Sequence, residues 1–143
     1  MIFFPIRVED AEFLASAKEK GFNDAWNLEM LLSSFKTGNF CGFIVANGEK
    51  KIGFITLSKT TPEADIETVF VCEEFRKKGV GRLLMEKAFE YLKKDGVNKL
   101  FLEVRKSNAG AISLYEKCGF KRISERRKYY IDGEDAVIYL KEL

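Results

Sequence analysis

The chain has 143 residues, 46 % of them apolar, and a formal net charge of +2. That is enough for one folded domain with a sizeable core, and too little net charge for a general nucleic-acid binder. Histidine is absent and the three cysteines, Cys41, Cys72 and Cys118, are widely spaced; this excludes Ser-His-Asp and Cys-His mechanisms, gives no disulfide framework or zinc motif, and argues against metal catalysis.

The first residues carry no basic stretch followed by an apolar one, and no apolar run is long enough to span a membrane. The expectation is a cytoplasmic protein without membrane association. Residues 2–8 read as a strand. Glu9-Asp10 opens a helix that carries Ala11, Leu14 and Ala15 and ends near Gly21. Asn27 caps a second helix with Leu28, Leu31, Leu32 and Phe35 on one face and Gly38 as its stop. Trp26, beside that cap, reads as a hydrophobic staple, with a place in an acceptor groove as the alternative. Residues 40–46 and 52–58 flank Asn47-Gly48-Glu49-Lys50, a hairpin with about four loop residues. Pro62 closes the second of these strands, and residues 65–71 form a third, antiparallel to its neighbour.

Next comes Arg76-Lys77-Lys78-Gly79-Val80-Gly81. It follows a strand of β-branched and aromatic residues, Val69 to Val71, and opens a helix whose apolar residues Val80, Leu83, Leu84, Ala88, Tyr91 and Leu92 keep helical spacing. Glycines let the backbone turn its N–H groups inward, the helix start adds free donors, and basic side chains surround it. Such a loop suits an anion, most naturally a diphosphate; on its own it is as readily a tight turn with solvated lysines. It fits neither G-x-G-x-x-G nor G-x-x-x-x-G-K-[ST]. Basic residues also cluster at Lys93-Lys94 and Arg126-Arg127-Lys128; the first of these reads as a solvated face.

Residues 97–104 alternate as a strand, so strand, helix and strand form a crossover with parallel strands. Ligands of such units bind off the carboxyl ends of the strands, which puts Val71, the glycine loop and Val104 at one opening. Asn108 starts a helix with Ile112, Leu114, Tyr115 and Cys118, closed by Gly119. Residues 120–130 and 134–140 form a last hairpin around Asp132-Gly133. With no repeat or linker, residues 1–143 read as a single α/β domain with a mixed sheet.

Two segments carry a family resemblance. One is the glycine loop with its strand. The other is Leu102-Glu103-Val104-Arg105-Lys106-Ser107-Asn108-Ala109-Gly110-Ala111-Ile112-Ser113-Leu114-Tyr115-Glu116-Lys117-Cys118-Gly119-Phe120. Together they resemble the GNAT superfamily of acetyl-CoA-dependent N-acetyltransferases, and within it the RimI-type ribosomal-protein-alanine N-acetyltransferases. Residues 126–130 and 133–136 extend the likeness, which is weakest before residue 40. It implies the acyl-CoA N-acyltransferase fold, a mixed sheet of about seven strands flanked by about four helices. It implies acetyl-CoA as cosubstrate, with its diphosphate on Arg76, Lys77, Lys78, Gly79, Val80 and Gly81. The backbone of Val69, Phe70 and Val71 would pair with the pantetheine arm, Asn108 would touch the cofactor, and Arg82 or Lys77 would reach a phosphate.

The reaction is attack of a neutral amine on a thioester. Glu103 matches the family's general base and Tyr115 the general acid that protonates the sulfur. Asp65 and Glu67 are competing bases on the third strand of the run. Taken singly, Tyr115 is an ordinary boundary tyrosine, Glu103 a solvent-facing strand residue and Asn108 a helix cap. The implied acceptor is a protein N-terminus, with an S18-like ribosomal alanine as the specific expectation. A small amine, a lysine side chain, a non-catalytic CoA-binding module and a ribosome-binding module are the alternatives. Departures gather on the acceptor side. Glu67-Thr68 replaces an apolar residue and asparagine, Phe70 is bulky where alanine is common, no proline follows Val71, and the family's histidine near Gly133 is missing.

Overall fold

The computed structural model describes residues 1–143. Seven strands form one mixed sheet: β1 Ile2–Pro5, β2 Phe40–Asn47, β3 Lys50–Thr60, β4 Glu63–Val71, β5 Lys99–Arg105, β6 Lys121–Arg126 and β7 Ala136–Glu142, in the spatial order β1-β2-β3-β4-β5-β7-β6. Four helices accompany it: α1 Ala11–Glu19, α2 Leu28–Phe35, α3 Val80–Lys94 and α4 Ala109–Lys117. The β4–β5 pair is parallel and every other pair is antiparallel. This is the mixed α/β architecture anticipated from the sequence. No helix is long and apolar enough to cross a membrane.

Alternation along the strands builds two cores, one on each face. On one face Phe43, Val45 and Ile55 meet Val80, Leu84, Met85, Ala88 and Leu92 of α3. On the other, Ile44, Phe54 and Phe70 meet Leu14 of α1 and Leu31 of α2. The α2 face is narrower than its sequence implies: Leu31 is buried, whereas Leu28 and Leu32 stay largely exposed. Asn27 caps α2, its Oδ1 accepting from the Met30 N–H at 2.9 Å.

Strand limits shift by a few residues from the sequence reading, β1 ending at Pro5 rather than residue 8, and three turns differ as well. The β2–β3 turn is tight, with Asn47 paired to Lys50 and only Gly48-Glu49 between them; a bulge at Val45/Ala46 absorbs the extra residue. A single 3₁₀ turn, Val8–Asp10, precedes α1. The final hairpin loop is longer than a turn at Asp132-Gly133 requires, running from 127 to 135. Its acidic side chains hold it in place: Asp132 and Glu134 accept from Arg105 at the end of β5, and Asp135 Oδ1 accepts from the Lys128 N–H within the loop.

Two features of β4 prepare a site. Ile66 pairs with Leu57 and Thr68 with Thr56, so Glu67 is an extra residue, a β-bulge. One inserted residue exchanges the faces of the strand: Ile66 points to the α3 core, while Phe70 points to the α1–α2 core. The β4–β5 ladder also stops at Ile66–Leu102. Beyond it the strands part, and the β5-facing backbone of residues 68–71 has no strand to pair with.

Candidate active site

The parting of β4 and β5 opens two connected cavities. The larger, about 670 Å³, runs between the end of β4, the loop that follows it and α4. The smaller, about 390 Å³, lies between β4, β5, the α1–α2 loop and the β6–β7 loop. Four residues line both: Phe22, Val69, Asn108 and Tyr115. A group that passes from one cavity to the other does so beside them.

The loop after β4 is built to leave N–H groups free. Cys72 N–H bonds back to the Ile52 carbonyl at 2.8 Å, a 3₁₀ turn follows over Glu73–Phe75, and Phe75 packs onto both cores. Arg76 Nε donates to the Val71 carbonyl at 2.7 Å, which ties the loop to the strand end. Lys77 and Gly79 both take left-handed backbone conformations, with φ of 60° and 82°. The first N–H groups of α3 have no intrahelical acceptor. Gly79 has open space where a Cβ would stand, so its need is conformational. Gly81 is different: a Cβ there would lie 3.2 Å from Leu114 Cδ2, so its small size lets α3 and α4 approach.

Of the residues expected around a cofactor, Val69, Phe70, Val71, Arg76, Lys77, Gly79, Val80, Gly81, Arg82 and Asn108 all line the larger cavity. Lys78 does not; its ammonium sits 5.8 Å from the centre of the Phe75 ring. The sequence reading missed Lys20, Gly21 and Phe22, which the end of α1 delivers to the same wall. An unpaired strand edge, a ring of free N–H groups and several cations fit an extended, amide-bearing polyanion. Gly79→Val forces a branched side chain into a left-handed conformation. If the resemblance to acetyl-CoA enzymes holds for this loop, isothermal titration shows CoA affinity reduced by at least about tenfold, with stability lowered by about 1–2 kcal/mol.

The smaller cavity has the opposite charge. Asp65, Glu67 and Glu103 face it from β4 and β5, and Trp26, Tyr129 and Tyr130 supply aromatic walls. Trp26 also stacks on Phe40, with ring centres 6.1 Å apart. It also packs against the core that contains Leu31, the fourth residue of α2, as a staple does, while lining this cavity. Glu103 Oε1 lies 3.5 Å from Arg126 Nε. Burial, with Asp65 and Glu103 alongside, raises the Glu67 carboxyl to about 7. Burial and Glu103 also push the Asp65 carboxyl upward. The neighbouring Glu103 carboxylate pushes the Tyr129 phenol up, and burial takes Tyr130 to about 12.

Folding therefore makes Glu67 bind its proton more tightly, against an ordinary value of 4.5. Stability falls as pH rises from that value through about 7, because the native state must give up a proton it favours. Glu67→Gln is expected to raise Tm at pH 8 by roughly 2–4 °C and to leave it unchanged at pH 4, by differential scanning calorimetry.

At the junction Tyr115 is edge-on to Phe120, with ring centres 6.0 Å apart, and burial raises its phenol to about 12. Asn108 caps α4, its Oδ1 accepting from the Ala111 N–H at 3.1 Å. The loops around the smaller cavity are held by Arg105 at the end of β5. Its guanidinium is bidentate to Asp24, at 2.7 and 3.0 Å, and bonds Asp132 at 2.7 Å and Glu134 at 3.0 Å. It also lies 4.1 Å from the centre of the Tyr130 ring. One side chain thus fixes the α1–α2 loop and the β6–β7 loop against β5.

Comparison with known proteins gives this geometry its class. The family model described as "Acetyltransferase (GNAT) family" matches residues 8–120. The chain belongs to the GNAT acetyltransferase family. It is 37 % identical over 113 residues to the [ribosomal protein bS18]-alanine N-acetyltransferase of Escherichia coli K12, covering 77 % of this chain and 76 % of that one. An N-alpha-acetyltransferase of Saccharolobus solfataricus is 40 % identical over 79 residues, 54 % of this chain and 47 % of that one. The crystal structure of the E. coli ribosomal-protein-S18-alanine N-acetyltransferase superposes with a TM-score of 0.89 at 30 % identity, covering 99 % of this chain and 92 % of that one. The GNAT assignment makes this chain an acetyl-CoA-dependent N-acetyltransferase, with acetyl-CoA as the source of an activated acyl thioester.

Proposed function

We propose that this N-acetyltransferase acts on the free α-amine of a polypeptide, with the N-terminal alanine of a bS18-like ribosomal protein as its acceptor and the cytoplasm as its compartment. The observation that carries this reading is the meeting of a basic cavity and an acidic one at Tyr115 and Asn108. The basic side suits a phosphorylated donor. The acidic, aromatic-walled side suits an ammonium that must lose a proton before it reacts. The names of the E. coli and S. solfataricus relatives select an N-terminal amine among the possible ones.

In this reading the cosubstrate lies along the larger cavity, with Lys77, Gly79, Val80, Gly81 and Arg82 at its diphosphate and the backbone of Val69 to Val71 along its amide arm. Glu103 takes the proton of the acceptor amine, directly or through water. Backbone N–H groups near Phe70 and Val71 hold the acyl oxygen. Tyr115 supplies a hydrogen bond to the sulfur as charge builds there. An α-amine, with an ordinary pKa of about 8, needs far less help from such a base than a lysine at about 10.4. Orientation of amine and thioester across the junction provides much of the remaining acceleration.

A second reading is favoured by the three carboxylates together: a small amine with two positive charges. An acetyl-CoA consumption assay separates the two. Alanine-initiated peptides with free N-termini are expected to outpace serine- and methionine-initiated ones. N-terminally blocked peptides with internal lysines should be inert. Faster turnover of spermidine or a free amino acid than of any peptide overturns the N-terminal assignment.

A further inference from the structure

The larger cavity holds more cations than a diphosphate alone needs, and they are not equally free. Arg76 gives its Nε–H to the Val71 carbonyl, Arg82 pairs with Glu86 at 3.3 Å, and Lys20 rests 3.8 Å from Cys72 Sγ and over the Phe13 ring. Lys77 and Lys117 make no ion pair. Lys77 lies on the glycine loop itself. Lys117 lies elsewhere, as the last residue of α4.

Helix α4 runs along the cavity. Its cap, Asn108, stands at the junction with the acidic side, and Lys117 is about 13 Å farther along the axis at 1.5 Å per residue. Between them Leu114 touches the start of α3 at Gly81, so the glycine loop meets α4 about one turn before Lys117. Ser113 lines the same wall, and at i and i+4 Ser113 and Lys117 share one face of the helix. Tyr115 reaches the junction although it is close to Lys117 in sequence, because helical side chains lean toward the helix N-terminus.

Acetyl-CoA is a linear chain of thioester arm, diphosphate and 3′-phosphoadenosine. With the thioester at the junction and the diphosphate on the glycine loop, the nucleoside end continues past the loop toward Lys117. A phosphate monoester carries about −1.5 to −2 charge near neutral pH, comparable to the whole diphosphate, so it calls for a cation of its own. We infer that Lys117 is the 3′-phosphate contact of this enzyme, assisted by the Ser113 hydroxyl, and is what makes it prefer CoA over 3′-dephospho-CoA. The inference rests on the donor reading of the larger cavity and is independent of which amine accepts the acetyl group.

The test is equilibrium binding, measured by isothermal titration without any acceptor. Wild-type protein is expected to bind CoA about tenfold tighter than 3′-dephospho-CoA, the scale of one charge-assisted contact. Lys117→Gln should weaken CoA to the level of 3′-dephospho-CoA and leave the latter unchanged. Lys117→Arg should keep most of the preference. Equal weakening of both ligands in Lys117→Gln, or an undiminished preference, overturns the assignment. So does loss of the preference in Lys20→Gln. Wild-type protein that binds neither ligand would instead sink the donor reading of the cavity.

Discussion

Tyr115→Phe is expected to lower kcat by about 10²- to 10⁴-fold while CoA affinity stays close to that of the wild type. The substitution removes one oxygen and little else. The ring keeps its edge contact with Phe120, and no hydrogen bond within the protein involves the hydroxyl. Tyr115 is one of the four residues common to both cavities, which is where the proposed reading puts acyl transfer. A phenol held at about 12 stays protonated across the neutral range. Its contribution is then a hydrogen bond that strengthens as negative charge builds on the departing sulfur, an interaction made chiefly in the transition state. Such a loss appears in kcat and kcat/KM together and leaves binding alone. The pH–rate profile should drop without changing shape, since Tyr115 does not titrate in the working range. Undiminished turnover in Tyr115→Phe removes this residue from the chemistry. Weakened CoA binding with unchanged kcat makes it a packing residue.

The elements most legible in the sequence were those fixed by local chemistry. Asn27 and Asn108 cap α2 and α4 through bonds to residues three positions on, and a reader of the chain sees both partners at once. The glycine loop is similar, because Gly79 and the start of α3 lie within a few residues of each other. The acceptor side was less legible because its contacts are long in sequence. Arg105 finds Asp24 81 residues away, and Asp132 and Glu134 at 27 and 29. Nothing local distinguishes those carboxylates from solvated ones, so in the sequence the β6–β7 loop looks like a plain turn. The bulge at Glu67 is likewise invisible locally. It exists only as a mismatch between the β3 and β4 ladders, yet it reverses the faces of β4 and sets the carboxylates of the cavity. Lys20, Gly21 and Phe22 were missed for the same reason: their function comes from where α1 ends against the sheet.

Glu103→Gln is expected to reduce kcat/KM for an alanine-initiated peptide by about 10²- to 10³-fold near pH 6.5, with a smaller loss near pH 9. The sign follows from the acceptor. An α-amine with a pKa of about 8 is mostly protonated at the lower pH and needs a base, whereas at the higher pH the neutral amine is already abundant. Glu67 is the rival, and its titration near 7 makes the rivalry measurable. If Glu67 takes the proton, wild-type activity declines below pH 7 with an inflection there, and Glu67→Gln is the more damaging variant and abolishes the inflection. If Glu103 takes it, Glu67→Gln costs less, and the acid limb follows the acceptor amine. The two carboxylates are also coupled, because Glu103 is one of the charges that push Glu67 and Asp65 upward. Neutralising it in Glu103→Gln should lower the titration of Glu67, so any activity left in that variant should persist to lower pH than a Glu67-dependent wild type would. A Glu103→Gln enzyme with full activity at pH 6.5, beside an inactive Glu67→Gln enzyme, would move the base from β5 to the bulge of β4.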